Sequence, residues 1–276
     1  MLVNLTDLMQ PALKNGYAVP CFNVFGYEDA LAVVNAAQAR NASVILAVNL
    51  DMTLFMPLDH IIGMLKPLAQ SATVPVCLHL DHNYHIPTVI QAIDAGFTSV
   101  MYDGSQLPIA ENVAGVKQIV AHAKSKGVSV EAEVGSVPYA TGRDHIKSEL
   151  TDLREALMMI EQAKPDVLAV SVGNVHRLEN TFVDIDFIRF NELQAALDVP
   201  LVIHGTSGVK THDIQILAKG NVCKFNIGTC LRQRFGQTLR KTLNDNPSLF
   251  DRLTIMKTII PEVTDEADKM ICLLGQ

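Results

Sequence analysis

Eight short apolar runs, each followed by a polar break and a stretch with helical periodicity, constrain the fold of this chain most strongly. Near-continuous apolar strands that alternate with helices indicate a parallel sheet whose outer face is covered. Eight such units in 276 residues favour a (β/α)₈ barrel over an open doubly wound sheet. The predicted strands are residues 17–24, 43–49, 75–81, 99–105, 129–135, 167–173, 200–205 and 223–229.

Helical periodicity follows most of these runs, at residues 28–40, 86–95, 107–126, 152–164, 186–197 and 210–220. No Gly-x-Gly-x-x-Gly motif follows an early strand, which argues against a dinucleotide-binding sheet.

Because no linker or low-complexity stretch interrupts the sequence, we expect one α/β TIM-barrel domain over residues 1–276. Residues 246–276 are helical in pattern, and we expect them to form an extension that packs outside the barrel or against another subunit.

The composition narrows the class of protein. The formal net charge is −7 and no basic stripe is present, so nucleic acid is not an expected partner. No apolar run is long enough for a membrane span, and the N-terminus does not read as a signal peptide. Scattered cysteines, odd in number, fit reduced thiols. We therefore expect a cytoplasmic protein without a membrane partner.

Polar residues stand at or just beyond the C-terminal end of each of the eight predicted strands. The C-terminal ends of barrel strands meet at one mouth, where active sites are built. A single polar residue at a strand end can be ordinary turn chemistry, but recurrence on all eight strands favours a functional site. The set comprises Asn23, Asn49, Asp81, His82, Asp103, Glu131, Glu133, Asn174, His176, His204, Asn226 and Thr229.

Three of these strand-end residues are histidines: His82, His176 and His204. Three protein ligands and one open position are typical of catalytic zinc, so the set predicts a Zn²⁺ site. Asp103 and Glu133 lie on the same rim, where either is placed to hold the metal in an inner position or to orient the ligands. His60, His122, His145 and His212 are expected to be structural or surface residues, because their segments have no strand-end placement. His79 alternates with Asp81 and is expected to face the barrel interior, where a purely structural role is the alternative.

Asp81 directly precedes a predicted metal ligand. A carboxylate there is placed to carry a proton to or from a substrate, with burial expected to raise its pKa towards the working pH. The alternative role is to accept a hydrogen bond from a ligand imidazole.

Two glycine-containing turns follow the seventh and eighth predicted strands, HGTSG at residues 204–208 and NIGT at residues 226–229. Barrels frequently bind phosphate at these two loops through backbone N–H groups. A Lewis-acidic metal, an acid/base carboxylate and a phosphate site together predict carbon–carbon bond chemistry on a phosphorylated ketose.

The motifs resemble those of the class II, zinc-dependent ketose-bisphosphate aldolases, which include fructose- and tagatose-bisphosphate aldolases. The resemblance extends over residues 4–229 and weakens in the tail. It is carried by LHLDHN (78–83), GFTSVMYDGS (96–105), GVSVEAEVG (127–135), LAVSVG (168–173) with His176, HGTSG and KFNIGT (224–229). It implies a (β/α)₈ barrel in a homodimer or homotetramer, with catalytic Zn²⁺ and a monovalent cation, Na⁺ or K⁺.

The resemblance also implies a role for each matching residue. Asp81 falls on the proton donor, His82, His176 and His204 on the zinc ligands, and Asp103 and Glu133 on the inner metal position. The contacts to dihydroxyacetone phosphate fall on Gly205, Thr206, Ser207, Asn226, Ile227, Gly228 and Thr229. Asn23 and Asn49, at the ends of the first two strands, are further candidate substrate-binding residues.

The chain departs from the family pattern in places that bear on substrate choice. Arg177 stands where the family has glycine, and is expected either to crowd the phosphate site, to supply a positive charge to an anionic group, or to be a solvated loop residue. Asn49 stands where a serine is usual. Residues 135–149 lack the family's Gly-Gly and acidic pair, so Asp144 or Glu149 are the candidates to replace its catalytic glutamate. The tail also lacks the usual ending.

We expect a zinc-dependent aldolase that reversibly cleaves a ketose 1-phosphate or 1,6-bisphosphate into dihydroxyacetone phosphate and an aldehyde, through a metal-stabilised enediolate. One rival is a Schiff-base aldolase, which would need an inward lysine near the rim; Lys224 is the only strand lysine and lies early on its strand. The other rival is a non-catalytic metal-binding or regulatory homologue.

Overall fold

The computed structural model describes residues 1–143, 145–179 and 181–276, and within them eight parallel strands close into a barrel. Each strand pairs with its neighbour in sequence, and β9 closes the ring against β2. The TIM-barrel prediction is therefore confirmed. The barrel strands are β2 (Val19–Asn23), β3 (Val44–Val48), β4 (Val76–Asn83), β5 (Ser99–Tyr102), β6 (Ser129–Val134), β7 (Val167–Val170), β8 (Leu201–Ile203) and β9 (Val222–Ile227).

A further strand, β1 (Leu2–Val3), was not predicted. It pairs in parallel with the start of β4, before the point where β4 meets β5. A two-residue strand carries no periodicity, so sequence patterning could not find it.

Most of the helices cover the outside of the barrel between the strands, as predicted from the alternating pattern. Within the described residues they are α1 (Leu5–Asn15), α2 (Tyr27–Arg40), α3 (Leu50–Phe55), α4 (Leu58–Ser71), α5 (Ile86–Ala95), α6 (Ile109–Lys124), α7 (Leu153–Gln162), α8 (Phe187–Ala196), α9 (Thr211–Lys219), α10 (Thr229–Asp245) and α11 (Arg252–Leu273).

The barrel interior is apolar at its N-terminal end and polar at its C-terminal end. Helix α1 packs against the N-terminal end with Leu5, Leu8 and Met9, which contact inward-facing residues such as Cys21 and Ile45. Outward-facing strand residues instead pack under the surrounding helices in a second apolar cluster. Because the N-terminal end is filled, the C-terminal mouth is the end at which a ligand can enter.

The C-terminal segment lies outside the barrel. Helix α11 packs on α2 and α10 through a stripe at helical spacing, formed by Ile259, Val263, Ala267 and Ile271. The treatment of residues 1–276 as one domain, with 246–276 as its extension, stays a prediction. Within the described ranges, no helix combines the length and the apolar character needed to cross a bilayer.

Candidate active site

Strand β4 delivers two adjacent side chains, Asp81 and His82, to one cleft at the mouth. Successive residues of a regular strand point to opposite faces, so this arrangement needs a local distortion. The register between β4 and β5 shifts between Leu80 and Asn83, and His82 has a positive φ of 33°. This irregularity turns the His82 side chain to the side that Asp81 already occupies.

His82, His176 and His204 converge, with one nitrogen of each ring within 4.8 Å of the others. Nδ1 of His204 lies 2.6 Å from Nε2 of His82, a pair of nitrogens that can share at most one proton. The Nε2 of His176 is shielded from solvent and has no hydrogen-bond partner among the described residues. Imidazole nitrogens that face each other or lack a partner in this way fit a metal-ligand set, and the all-imidazole chemistry suits Zn²⁺.

Two carboxylates flank the histidines. Oδ2 of Asp103 lies 2.8 Å from Nδ1 of His82, which leaves Nε2 of that ring directed at His204. Glu133 forms a second candidate metal group with His82 and Asp103, and its Oε2 is buried without a partner in the described part of the chain. Burial and the charge of Asp103 raise the pKa of Glu133 well above its usual value.

Asp81 and His82, the adjacent side chains at the end of β4, differ in charge state. Burial lowers the pKa of His82, but Asp81 and the hydrogen bond to Asp103 outweigh it and raise that pKa to about 9. Burial likewise acts to raise the pKa of Asp81, but the charges of His82, His204 and Lys224 hold it well below its usual value. The expectation that burial raises the Asp81 pKa is therefore wrong, because positive groups surround this carboxylate.

Two amide side chains hold the Asp81 carboxylate. Nδ2 of Asn23 donates to Oδ2 over 2.9 Å, and Nδ2 of Asn226 donates to Oδ1 over 2.9 Å. Both carboxylate oxygens are thus fixed by neutral donors from the first and last barrel strands. The structure brings Asn23 to the centre of the site, where its amide orients the carboxylate.

Beneath the histidines lies a buried polar network centred on Glu131, a strand-end residue to which the sequence analysis gave no individual role. Oε1 of Glu131 lies 2.9 Å from Nε2 of His204, and its Oε2 lies 2.7 Å from Nζ of Lys224. Lys224 also donates to Oδ1 of Asn226 over 2.7 Å. Nδ1 of His79 lies 2.8 Å from Oγ of Ser99, inside the barrel. The sequence signal for this network is the two-residue alternation along β9, which turns Lys224 and Asn226 to the same side of the strand.

The two predicted phosphate loops border the cleft. Gly205 has a φ of 69°, and a Cβ there would collide with the carbonyl oxygen of Val175, so the close approach of two loops requires glycine. A 3₁₀ turn (Thr206–Gly208) follows, and Oγ1 of Thr206 donates to the Asn226 carbonyl over 2.8 Å. Helix α10 begins at Thr229, so its unpaired N–H groups start beside this turn.

The predicted substrate residues divide into two groups. Gly205, Thr206, Ser207, Asn226 and Thr229 line the cleft together with Asn23, Asn49 and Arg177. The side chain of Ile227 packs in the outer apolar cluster, and Gly228 lies against Asn23. These last two can reach a ligand only through their backbone.

The loop after β6 contributes two cleft residues that were not predicted, Tyr139 and Arg143. The Tyr139 ring stacks on His176, with centroids 4.3 Å apart and planes at 18°. Glu149 is exposed and pairs through its backbone with Ser136, and among the described residues it is not part of the cleft lining. Asp144, the other candidate for the catalytic glutamate, lies outside the described residues.

Comparison with known proteins identifies the family. The family model described as fructose-bisphosphate aldolase class-II matches residues 3–276. The chain belongs to the class II fructose-bisphosphate aldolase family. The resemblance inferred from LHLDHN and its companion motifs is thereby confirmed, and with it membership of a family of metal-dependent lyases.

Solved structures of this family superpose over nearly the whole chain. The YdjI aldolase from Escherichia coli K12 is 28% identical, with a TM-score of 0.86 over 100% of this chain and 98% of its own. The fructose-bisphosphate aldolase from Campylobacter jejuni is 22% identical, with a TM-score of 0.85 over 99% and 95%. A putative fructose-1,6-bisphosphate aldolase from Coccidioides immitis is 21% identical, with a TM-score of 0.84 over 98% and 96%. The latter two support the fold alone.

Proposed function

We propose that this class II aldolase family member is a zinc-dependent enzyme that reversibly cleaves a ketose 1-phosphate or 1,6-bisphosphate into dihydroxyacetone phosphate and an aldehyde. The observation that carries the proposal is the convergence of three histidine nitrogens beside a carboxylate held by two amides, in one cleft at the barrel mouth. We further propose a cytoplasmic homodimer or homotetramer.

The zinc ligands are His82, His176 and His204, with Asp103 and Glu133 available for an inner metal position. When bound there, Zn²⁺ supplies Lewis-acid polarisation of the substrate ketone. Asp103 fixes the His82 ring through Nδ1, and Glu131 fixes the His204 ring through Nε2, so the remaining nitrogen of each ring is directed into the ligand set. A monovalent cation, Na⁺ or K⁺, remains part of the proposal on the strength of the family resemblance.

Asp81 handles the proton of the C4 hydroxyl, and the enediolate left by cleavage of the C3–C4 bond takes up a separate proton at C3 before dihydroxyacetone phosphate is released. Because its pKa is low, Asp81 is a carboxylate at neutral pH and accepts the proton of the C4 hydroxyl during cleavage. In the condensation direction, the same oxygen returns that proton to the aldehyde oxygen. Asn23 and Asn226 hold the carboxylate in place, which keeps the proton-transfer distance fixed through both directions.

The phosphate of dihydroxyacetone phosphate binds between the loops after β8 and β9. Gly205, Thr206 and Ser207 supply the backbone and hydroxyl groups of the first loop. Residues 226–229 supply the second, together with the N-terminus of α10. An anion at that helix end is favoured by the helix dipole as well as by hydrogen bonds.

An activity screen of the zinc-loaded protein tests this proposal. The panel comprises ketose 1-phosphates and 1,6-bisphosphates of differing stereochemistry, with release of dihydroxyacetone phosphate as the readout. Cleavage of at least one member, with stoichiometric dihydroxyacetone phosphate, is the expected result. Tight binding of panel members without any turnover would instead support the non-catalytic homologue.

A further inference from the structure

Lys224 lies inside the barrel with its side chain completely shielded from solvent. Its ammonium group has two partners at hydrogen-bond distance, Oε2 of Glu131 at 2.7 Å and Oδ1 of Asn226 at 2.7 Å. Lys224 and Asn226 are two residues apart on β9, whereas Glu131 comes from β6, which is separated from β9 by two strands of the ring. One buried cation therefore links two separate parts of the barrel wall.

Stability alone does not account for a lysine at this position. A buried ion pair is no better a source of stability than well-packed apolar residues of similar volume, because both charges lose their hydration. Cys21 and Val202, which face the same interior from the strands on either side of β9, are apolar. The second partner of the ammonium, Asn226, instead connects Lys224 to the candidate active site.

The side-chain amide of Asn226 lies between two groups of opposite charge. Its Oδ1 accepts from Nζ of Lys224, and its Nδ2 donates to Oδ1 of Asp81 over 2.9 Å. An ammonium group only donates and a carboxylate only accepts, so a single orientation of the amide satisfies both neighbours. Rotation of the amide by half a turn would set its N–H₂ against the ammonium and its carbonyl against the carboxylate. Lys224 therefore keeps Asn226 oriented as a donor to Asp81.

The two amides that hold Asp81 are not fixed to the same degree. Asn23, which donates to Oδ2 of Asp81, is half-buried at the mouth. Asn226, which donates to Oδ1, is buried, and the Lys224 ammonium anchors its carbonyl oxygen. A hydrogen bond from an ionised donor is about twice as strong as one between neutral groups. The position of the carboxylate therefore depends most on the Asn226 side.

We propose that Lys224 is a positioning residue for proton transfer at the C4 hydroxyl, because it fixes the Asn226 amide as a donor to Asp81 and so holds the carboxylate in its reactive position. This inference rests on the proposed aldolase function and deepens it. Among the described residues, Lys224 is not part of the cleft lining, so it acts on the substrate only through Asn226 and Asp81. Glu131 supplies the counter-charge that a buried ammonium group requires.

The test is a double-mutant cycle between Lys224 and Asp81 in the zinc-loaded protein. Removal of the lysine alone would leave Glu131 unpaired, so the variant is Lys224→Met/Glu131→Gln, named the pair variant. Its glutamine side chain keeps an oxygen that can accept from Nε2 of His204. The unaltered protein, Asp81→Asn, the pair variant and their combination are compared. The readouts are kcat and KM for the best ketose phosphate of the panel.

The pair variant should lower kcat about ten- to a hundredfold and leave KM within about twofold, because a small misplacement of a reacting group slows chemistry without weakening binding. In the Asp81→Asn background the same change should lower kcat by less than about twofold, since no carboxylate is left to position. A merely structural role of Lys224 would lower kcat by the same factor in both backgrounds.

Leu5→Ala is the matched control for loss of stability. Leu5 is completely buried at the opposite end of the barrel, and its truncation should lower the free energy of unfolding in urea without reaching the polar network. At a temperature where every variant is folded, Leu5→Ala should therefore retain the kcat of the unaltered protein.

Crystal structures of the metal-free unaltered protein and of the metal-free pair variant give a second measurement that needs no turnover. In the pair variant, the distance between Nδ2 of Asn226 and Oδ1 of Asp81 should lengthen beyond about 3.2 Å, the upper end of the hydrogen-bond range. Superimposable Asn226 and Asp81 side chains in the two structures would overturn the inference.

The kinetic cycle can overturn the inference in two further ways. Equal losses of kcat in both Asp81 backgrounds would reject the positioning role alone, since cleavage by the unaltered protein would still support the aldolase function. A comparable loss of kcat in Leu5→Ala would reject it too, because reduced stability would then explain the effect. Absence of cleavage of every panel member would reject the aldolase function itself, and the crystal structures would then decide whether Lys224 positions Asp81.

Discussion

Nζ of Lys224 lies 2.7 Å from Oε2 of Glu131, and both side chains are completely shielded from solvent. The other oxygen of Glu131 lies 2.9 Å from Nε2 of His204, so the ion pair connects directly to a proposed zinc ligand. A buried pair of this kind is costly to break, since the remaining charge is left without a partner in a medium that solvates it poorly.

A double-mutant cycle measures this coupling. Lys224→Met and Glu131→Gln should each lower the free energy of unfolding of the metal-free protein by about 3–5 kcal/mol. The double variant should lose clearly less than the sum, because neither charge is then left unpaired. Urea unfolding checks this, with the exposed Arg40–Asp268 pair as a control that should change little. Additive losses in the two single variants would show that Lys224 and Glu131 are not energetically coupled.

The same ion pair makes Lys224 a poor Schiff-base nucleophile. Burial lowers its pKa, but the neighbouring Cys21 and the carboxylates of Glu131 and Asp81 outweigh it and raise that pKa to about 12, so the amine is protonated at neutral pH. A Schiff-base lysine needs the opposite shift. Borohydride treatment in the presence of dihydroxyacetone phosphate should give no covalent adduct by mass spectrometry. A trapped adduct on Lys224 would revive the metal-independent mechanism.

Asp81→Asn should lower kcat about 10²–10⁴-fold, the range for loss of a positioned acid/base group. The amide preserves the shape of the carboxylate but cannot accept the proton, so zinc content should be retained. Asp198→Asn, at an exposed acid of the loop before β8, serves as the control with unchanged kcat. Steady-state kinetics and metal analysis check both variants. If Asp81→Asn turns over normally, the proton-transfer role is wrong.

Zinc affinity should increase with pH between pH 6 and pH 8. The pKa of His82 in the metal-free protein is raised to about 9, so this ligand is protonated over that range and must lose a proton to bind metal. Below a pKa of about 9, each unit of acidification should cost roughly tenfold in affinity from this group alone. Competition titration against a chromophoric chelator measures the slope. An affinity that is constant from pH 6 to pH 8 would contradict the assignment of His82.

Much of the architecture could be predicted from the sequence, because buried parallel strands leave continuous apolar runs. The three histidines could also be placed, since strand-end polarity requires only the strand order and the direction of the barrel. The shared orientation of the Asp81 and His82 side chains could not be predicted from the sequence, because it depends on a register shift between β4 and β5 that leaves no periodic pattern.

The positions of Tyr139 and Arg143 were missed for a different reason. Both lie on the loop after β6, whose path is set by tertiary contacts, such as the stacking of Tyr139 on His176, and not by local pattern. The low pKa of Asp81 was missed because burial was considered without the positive groups around it. Pairwise electrostatics of this kind requires coordinates.

A metal held by His82, His176 and His204 is proposed to be required for cleavage of a ketose phosphate. The most direct measurement is the release of dihydroxyacetone phosphate from the best substrate of the panel, before and after metal removal by EDTA and after re-addition of Zn²⁺. Metal removal should abolish nearly all activity, and re-addition of about one Zn²⁺ per chain should restore it. Full activity in protein verified to be metal-free would contradict the metal requirement.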